Sequence, residues 1–274
     1  MRVLLLTAAV LAGCTGGDPA AEAVAALGSV GVLHVDRVAG AGQTALSAGF
    51  ARYRGLEAPA VLGLLGSASP AELESCAFVV ADEALGADRA EVELLDVGTI
   101  QVRVAGSEAR LSPRPFPDLA SVVAGVFYAG DASLGAPVAD ADEYVFQAAG
   151  SLEVPAFDAI VPAPADPTDL QLDGVSIDAL SSLDRTRTAD LTWAAGDPRD
   201  VVEIELRSHG EVLSCAAADD GGFRLSREAL ATLTADPRAT LLVRRVRVSP
   251  VDVTGVDEAF ARIAVTRSVP VELR

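Results

Sequence analysis

Over most of its length this chain alternates in twos. In Thr99-Ile100-Gln101-Val102-Arg103-Val104 the apolar positions fall on every second residue, and Val202, Ile204 and Leu206 interleave with Glu203, Glu205 and Arg207. Successive strand side chains point to opposite faces, so this pattern describes half-buried β-strands and does not fit the 3.6-residue repeat of an amphipathic helix. Similar short runs occupy 30–38, 45–53, 76–80, 92–95, 122–128, 144–148 and 154–160, then 190–193, 211–217, 223–225, 239–248 and 260–273. Glycine, proline and acidic clusters punctuate them, as turns require. Helical signals are few. Ser69-Pro70-Ala71-Glu72 has the form of a capping box with proline at the first helical position, 56–65 is a weaker candidate, and Ser226 is placed to cap a short turn ending at Leu230.

The alternation breaks at Val161-Pro162-Ala163-Pro164-Ala165-Asp166-Pro167. Alternating prolines stiffen a chain toward an extended form, so 162–167 reads as a semi-rigid linker between two β-rich domains, 28–161 and 168–274. The second domain has the clearer strands, with Trp193 near its start. It resembles an immunoglobulin- or fibronectin-III-like sandwich. The Cys…Trp…Cys spacing of true immunoglobulin domains is missing, because Cys215 alone lies in this half and follows Trp193. The expected fold class is all-β, with two sandwich-like domains and the C-terminal one immunoglobulin-like.

At the N-terminus, Arg2 precedes the apolar run Val3-Leu4-Leu5-Leu6-Thr7-Ala8-Ala9-Val10, followed by Leu11-Ala12-Gly13-Cys14. A membrane-spanning helix needs roughly 20 apolar residues, so this run fits an export signal instead. The Leu-Ala-Gly-Cys tetrapeptide resembles the lipobox of bacterial lipoproteins. The resemblance implies that residues 1–13 are a signal peptide and that Cys14 is acylated and becomes the mature N-terminus. Segment 14–27, which begins Cys-Thr-Gly-Gly-Asp-Pro, then serves as a flexible tether. Acyl chains contribute about 0.8 kcal/mol per buried CH₂, so several of them anchor a protein essentially permanently. Thr15 stands where an Asp would favour inner-membrane retention, which points to the outer membrane.

Composition suits an exported globular chain. The formal charge is −18, all 21 basic residues are Arg, and Asn is absent. So acidic a surface repels nucleic acid, which excludes it as a partner. With Cys14 acylated, Cys76 and Cys215 remain; in an oxidising compartment such a pair tends toward a disulfide, and this one would staple the two halves. The alternative is two separate buried thiols.

Chemistry-bearing clusters are sparse. His34 and Asp36 share a strand face, with Ser29 or Ser47 as candidate nucleophiles, but no Gly-x-Ser-x-Gly elbow supports a hydrolase. His209 precedes Gly210 in a turn. No spacing suits zinc. Asp140, Asp142 and Glu143, and separately Asp219 and Asp220, place carboxylates in loops that could hold calcium, although neither matches a twelve-residue calcium loop and acidic turns are the ordinary explanation. Gly40-Ala41-Gly42 lacks the third glycine of a dinucleotide fingerprint. Phe116, Phe127, Tyr128, Tyr144 and Phe146 could line a sugar-binding face, yet with aromatics at 4% of the chain they are needed to fill cores. The expectation is a non-catalytic, lipid-anchored envelope protein without cofactor or metal. It would be held to the membrane by the lipid on Cys14 and act as a structural or protein-interaction module. The alternatives are a glycan- or calcium-binding adhesin and, less favoured, an envelope hydrolase.

Overall fold

The computed structural model describes residues 27–40, 43–67, 71–80, 91–119, 123–139 and 141–274. The first half contains β1 (Leu27–Val38), β2 (Gln43–Arg54), α1 (Ala58–Leu64), β3 (Ser75–Val80), β4 (Glu91–Leu94), β5 (Ile100–Val104), β6 (Ser107–Leu111), β7 (Arg114–Leu119), β8 (Val123–Ser133), β9 (Glu143–Ala148) and β10 (Phe157–Pro162). The second contains β11 (Gln171–Leu172), β12 (Val175–Ser176), β13 (Ser182–Leu183), β14 (Ala189–Thr192), β15 (Asp200–Ser208), β16 (Glu211–Ala218), β17 (Gly222–Leu225), α2 (Arg227–Leu230), β18 (Asp236–Pro250) and β19 (Glu258–Leu273). The fold is all-β, as the alternation requires. Ser226 caps α2 by accepting from the Ala229 amide at 3.1 Å, and α1 lies within the weaker helical candidate. The capping-box helix is a correction. Ser69 and Pro70 lie outside the described residues, whereas Ala71 to Glu74 form no helix and lead into β3.

Three sheets build two sandwiches. A ten-stranded sheet runs β16-β15-β18-β19-β1-β2-β4-β8-β7, with β13 attached to β19. One four-stranded sheet, β10-β9-β5-β6, covers it at one end, and another, β12-β11-β14-β17, at the other. Within the ten-stranded sheet β18 lies between β15 and β19 and pairs antiparallel with both. The first core packs Leu33, Phe50, Tyr128, Tyr144, Phe146 and Phe157; the second packs Trp193, Ile204, Leu213, Leu225 and Leu241. A third, smaller cluster on the opposite face seats α1 through Val61 on Val30 and Ala51. Gly49 permits this seat, because a Cβ there would lie 2.7 Å from Leu65.

The halves are less separate than their linker suggested. β1 pairs in parallel with β19, from Val30 opposite Glu258 to Val38 opposite Thr266, so one sheet crosses the supposed boundary. β19 serves both cores. Its Ala259, Ala261 and Ile263 enter the first, and Val271 and Leu273 enter the second.

Between the cores the inward-facing residues change character. Arg245, Val265 and Arg37 stand side by side on three adjacent strands, with Arg247 two residues along. All three arginines are about 2% exposed. A buried guanidinium must find acceptors, and the connector supplies several. Arg37 pairs with the Asp166 carboxylate, Arg245 donates to the Asp166 carbonyl at 2.9 Å, and Arg247 reaches the Pro162 carbonyl at 3.5 Å. Ala163, Pro164 and Pro167 are buried. Segment 162–167 is therefore clamped against the shared sheet and does not act as a free spacer between two independent domains.

Candidate functional site

The residues with most chemical potential lie on the uncovered face of the shared sheet. Along β1 the even positions point outward. Val30 lies under α1, and His34 and Asp36 follow on open sheet. Antiparallel pairing places His34 directly opposite Ser47 of β2, and Asp36 opposite Ala45; on its other side His34 faces Arg262 of β19. Asp131 of β8 lies opposite Ala45. Two adjoining clefts result, of about 520 and 640 Å³, sharing Asp36, Ala45 and Asp131.

The sequence-level grouping of His34, Asp36 and Ser47 is thus spatially real, but it is not wired for proton transfer. His34 Nε2 is buried without a hydrogen-bond partner. Burial, assisted by the Arg262 charge, lowers the imidazole pKa to about 4, so the ring is neutral and weakly basic near pH 7. Asp36 accepts from Thr266 Oγ1 at 2.6 Å instead of orienting the imidazole. Ser29, five residues from His34, points to the opposite face, where its hydroxyl donates to Asp257 at 2.8 Å. Nucleophilic catalysis needs a base bonded to its nucleophile and held by a third group, and these residues do not supply that chain. His209, at φ 48°, sits in the β15–β16 turn with Nε2 3.7 Å from Asp236.

The acidic loops divide. Asp219, its side chain fully buried, meets Arg245 Nε at 2.7 Å and accepts from Trp193 Nε1 at 2.8 Å. Gly196 lets the chain pass this pair, since a Cβ there would collide with the Asp219 carboxylate. This carboxylate is turned into the core toward Arg245 and Trp193 and is not presented on an open loop. Asp220 accepts from the Gly222 amide within its turn, at 3.4 Å. Asp142 accepts from the Val138 amide at 2.6 Å, Glu143 begins β9, and Asp140 lies outside the described residues. Among the described residues no group of three or more His, Cys, Asp or Glu side chains could hold a metal ion.

The aromatic residues also turn inward. Tyr128, Tyr144 and Phe146 are at most 1% exposed, and Phe127 packs against the cluster beneath α1. The Tyr128 hydroxyl donates to Asp96 and accepts from the Val97 amide; burial raises its pKa. The side chain of Phe116 lies outside the described residues. Of the five, none of the four described side chains presents an open stacking platform.

Cys76 and Cys215 are joined by a disulfide across a sequence separation of 139. Cys215 lies in the second core, so the bond fixes β3, from the first half, against β16. Cys14 and the whole leader lie outside the described residues, and among those residues no helix is long and apolar enough to cross a membrane. No protein-family model matches the chain, and no curated protein matches it.

The feature that sequence reasoning missed is the buried arginine row, although its signal was present. Arg244 and Arg245 are adjacent on one strand, so the two must point to opposite faces and one of them inward.

Proposed function

We propose that this chain is a lipid-anchored, non-catalytic cell-envelope protein, tethered through Cys14 at the outer membrane, whose paired sandwiches act as one rigid structural or interaction unit. The observation that carries this reading is the Cys76–Cys215 disulfide. Such bonds persist in oxidising compartments and are rare in the cytosol, which agrees with an export signal ending in a lipobox. The shared sheet and the clamped connector support the rigid-unit part, because neither leaves a hinge between the cores. Metabolic labelling with a palmitate analogue tests the anchor. The wild-type chain takes up label and fractionates with membranes, whereas Cys14→Ala loses both properties; an unlabelled wild type overturns the proposal.

A second reading, a glycan- or calcium-binding surface adhesin, draws on the open clefts. Their lining offers Asp36, Asp131, Ser47 and Arg114 on a floor of small residues. Isothermal titration against calcium and a glycan panel decides it: heat that disappears in Asp36→Ala/Asp131→Ala supports binding there, and no heat with any ligand removes it.

A further inference from the structure

Charged side chains on the uncovered face of the shared sheet fall into two groups. Arg244 and Arg262 are spent on Glu205 and Glu203. In the cleft of about 520 Å³ the pairing stops. Arg114 and Asp131 line it together, yet among the described residues neither side chain has a hydrogen bond or an ion pair, and the Ser47 hydroxyl has no partner either. Asp36 gives one oxygen to Thr266 and meets no arginine. Groups of both signs thus keep their bonding capacity in a cavity within the roughly 300–1,000 Å³ of small-molecule sites.

The strand register orders these groups along the cleft. Asp36, Ala45 and Asp131 form one row across β1, β2 and β8, so two carboxylates flank a methyl group. His34, Ser47 and Ala129 form the next row. Arg114, opposite Phe127 of β8, enters one row further on. At about 3.4 Å per residue, the step from Asp131 to Phe127 sets the Arg114 backbone roughly 14 Å from the carboxylate row. The cleft therefore has an acidic end, a neutral polar middle and a basic end. His34 does not blur this polarity, because burial and the Arg262 charge keep its imidazole uncharged near pH 7. Ala45, Ala129 and Gly130 leave room for a ligand backbone to lie close to the sheet.

We propose that this cleft binds a short peptide of two or three residues by its charged termini, with the ammonium between Asp36 and Asp131, the carboxylate at Arg114, and Ser47 facing the amides between them. A single amino acid carries both charges on one carbon and is too short to meet both ends. Three residues extend up to about 10 Å, and the long Arg114 side chain closes the remaining distance. Unlike ends fix the direction in which the peptide lies. The inference rests on the second reading in one respect, that the outer clefts take a ligand, and it names a ligand class which that reading does not.

Isothermal titration of the full chain with trialanine, its N-acetylated form and its C-terminal amide tests the proposal. Trialanine should give saturable heat, and blocking either terminus should weaken binding by about tenfold. Asp131→Asn and Arg114→Gln, both at exposed positions, should weaken the free peptide to a similar degree. The amide separates a built site from the general pull of an acidic surface. Its net positive charge favours it on a chain of formal charge −18 unless the carboxylate is recognised. An amide that binds as tightly as trialanine overturns the proposal, as does heat that survives both substitutions. Heat with the glycan panel and none with trialanine overturns it while leaving the adhesin reading in place; no heat with either removes both.

Discussion

The two faces of the shared sheet use the same chemistry to different ends. On the inner face, between the cores, Arg245–Asp219 and Arg247–Asp200 have side chains at most 3% exposed. On the outer face, Arg244–Glu205 and Arg262–Glu203 roof the sheet with side chains 10–16% exposed. A buried pair repays its desolvation only when geometry and extra hydrogen bonds are good, and losing one partner strands a charge. Water can still reach the outer pairs, so they can lose a partner at smaller cost. The inner row therefore fixes how the halves sit together, while the outer row mainly covers the sheet.

The strongest challenge to this comparison is Asp219→Ala. It leaves Arg245 buried without its counter-charge, and denaturant unfolding should show a loss of about 3–5 kcal/mol. Replacing both partners by apolar residues of similar volume, Asp219→Leu/Arg245→Met, should recover much of that loss; no recovery would mean that the site depends on its charges for more than neutralisation. Trp193→Ala removes a core side chain and the indole donor to Asp219, and should cost about 3–5 kcal/mol by the same measurement.

The outer face is probed by pH. His34 has a folded pKa near 4 against 6.5 for a free imidazole, so the unfolded chain binds the extra proton between those values. Stability from this group is thus complete above about pH 6.5 and falls as pH drops toward 4, by up to about 3 kcal/mol. His34→Gln should flatten that part of the stability–pH profile; an unchanged slope would show that other groups govern it. The smallest effect belongs to Arg52–Glu93, whose side chains are 40% and 57% exposed. Arg52→Ala should change stability by about 0–1 kcal/mol, less so in high salt.

Much of the fold was legible because alternation is a local signal. The strands around Val202, Val243 and Ile263, the burial of Trp193 and the Ser226 cap all followed from short stretches of sequence, whereas the disulfide, between residues 139 apart, was favoured only by the expected oxidising compartment. What escaped was non-local. The parallel partnership of β1 with β19 leaves no mark in either strand, since both read as half-buried. The proline connector looked like a spacer because its sequence shows rigidity but not its acceptors, and those became meaningful only once Arg37, Arg245 and Arg247 faced inward. The candidate site was half legible. Parity placed His34 and Asp36 on one face, but Ser47 came opposite only through the hairpin register, and Thr266 took Asp36 from the far end of the chain.

The β1–β19 ladder also bears on the order in which this molecule can assemble. Synthesis proceeds from the N-terminus, so β1 exists long before the strand that flanks it. The first core lacks Val253, Ala259, Ala261 and Ile263 until the end of the chain arrives, and bringing such distant segments together slows folding. The first-made half therefore holds most of its core while the β19 side of β1 is still unpaired, and that interval is when a chaperone would matter most to it.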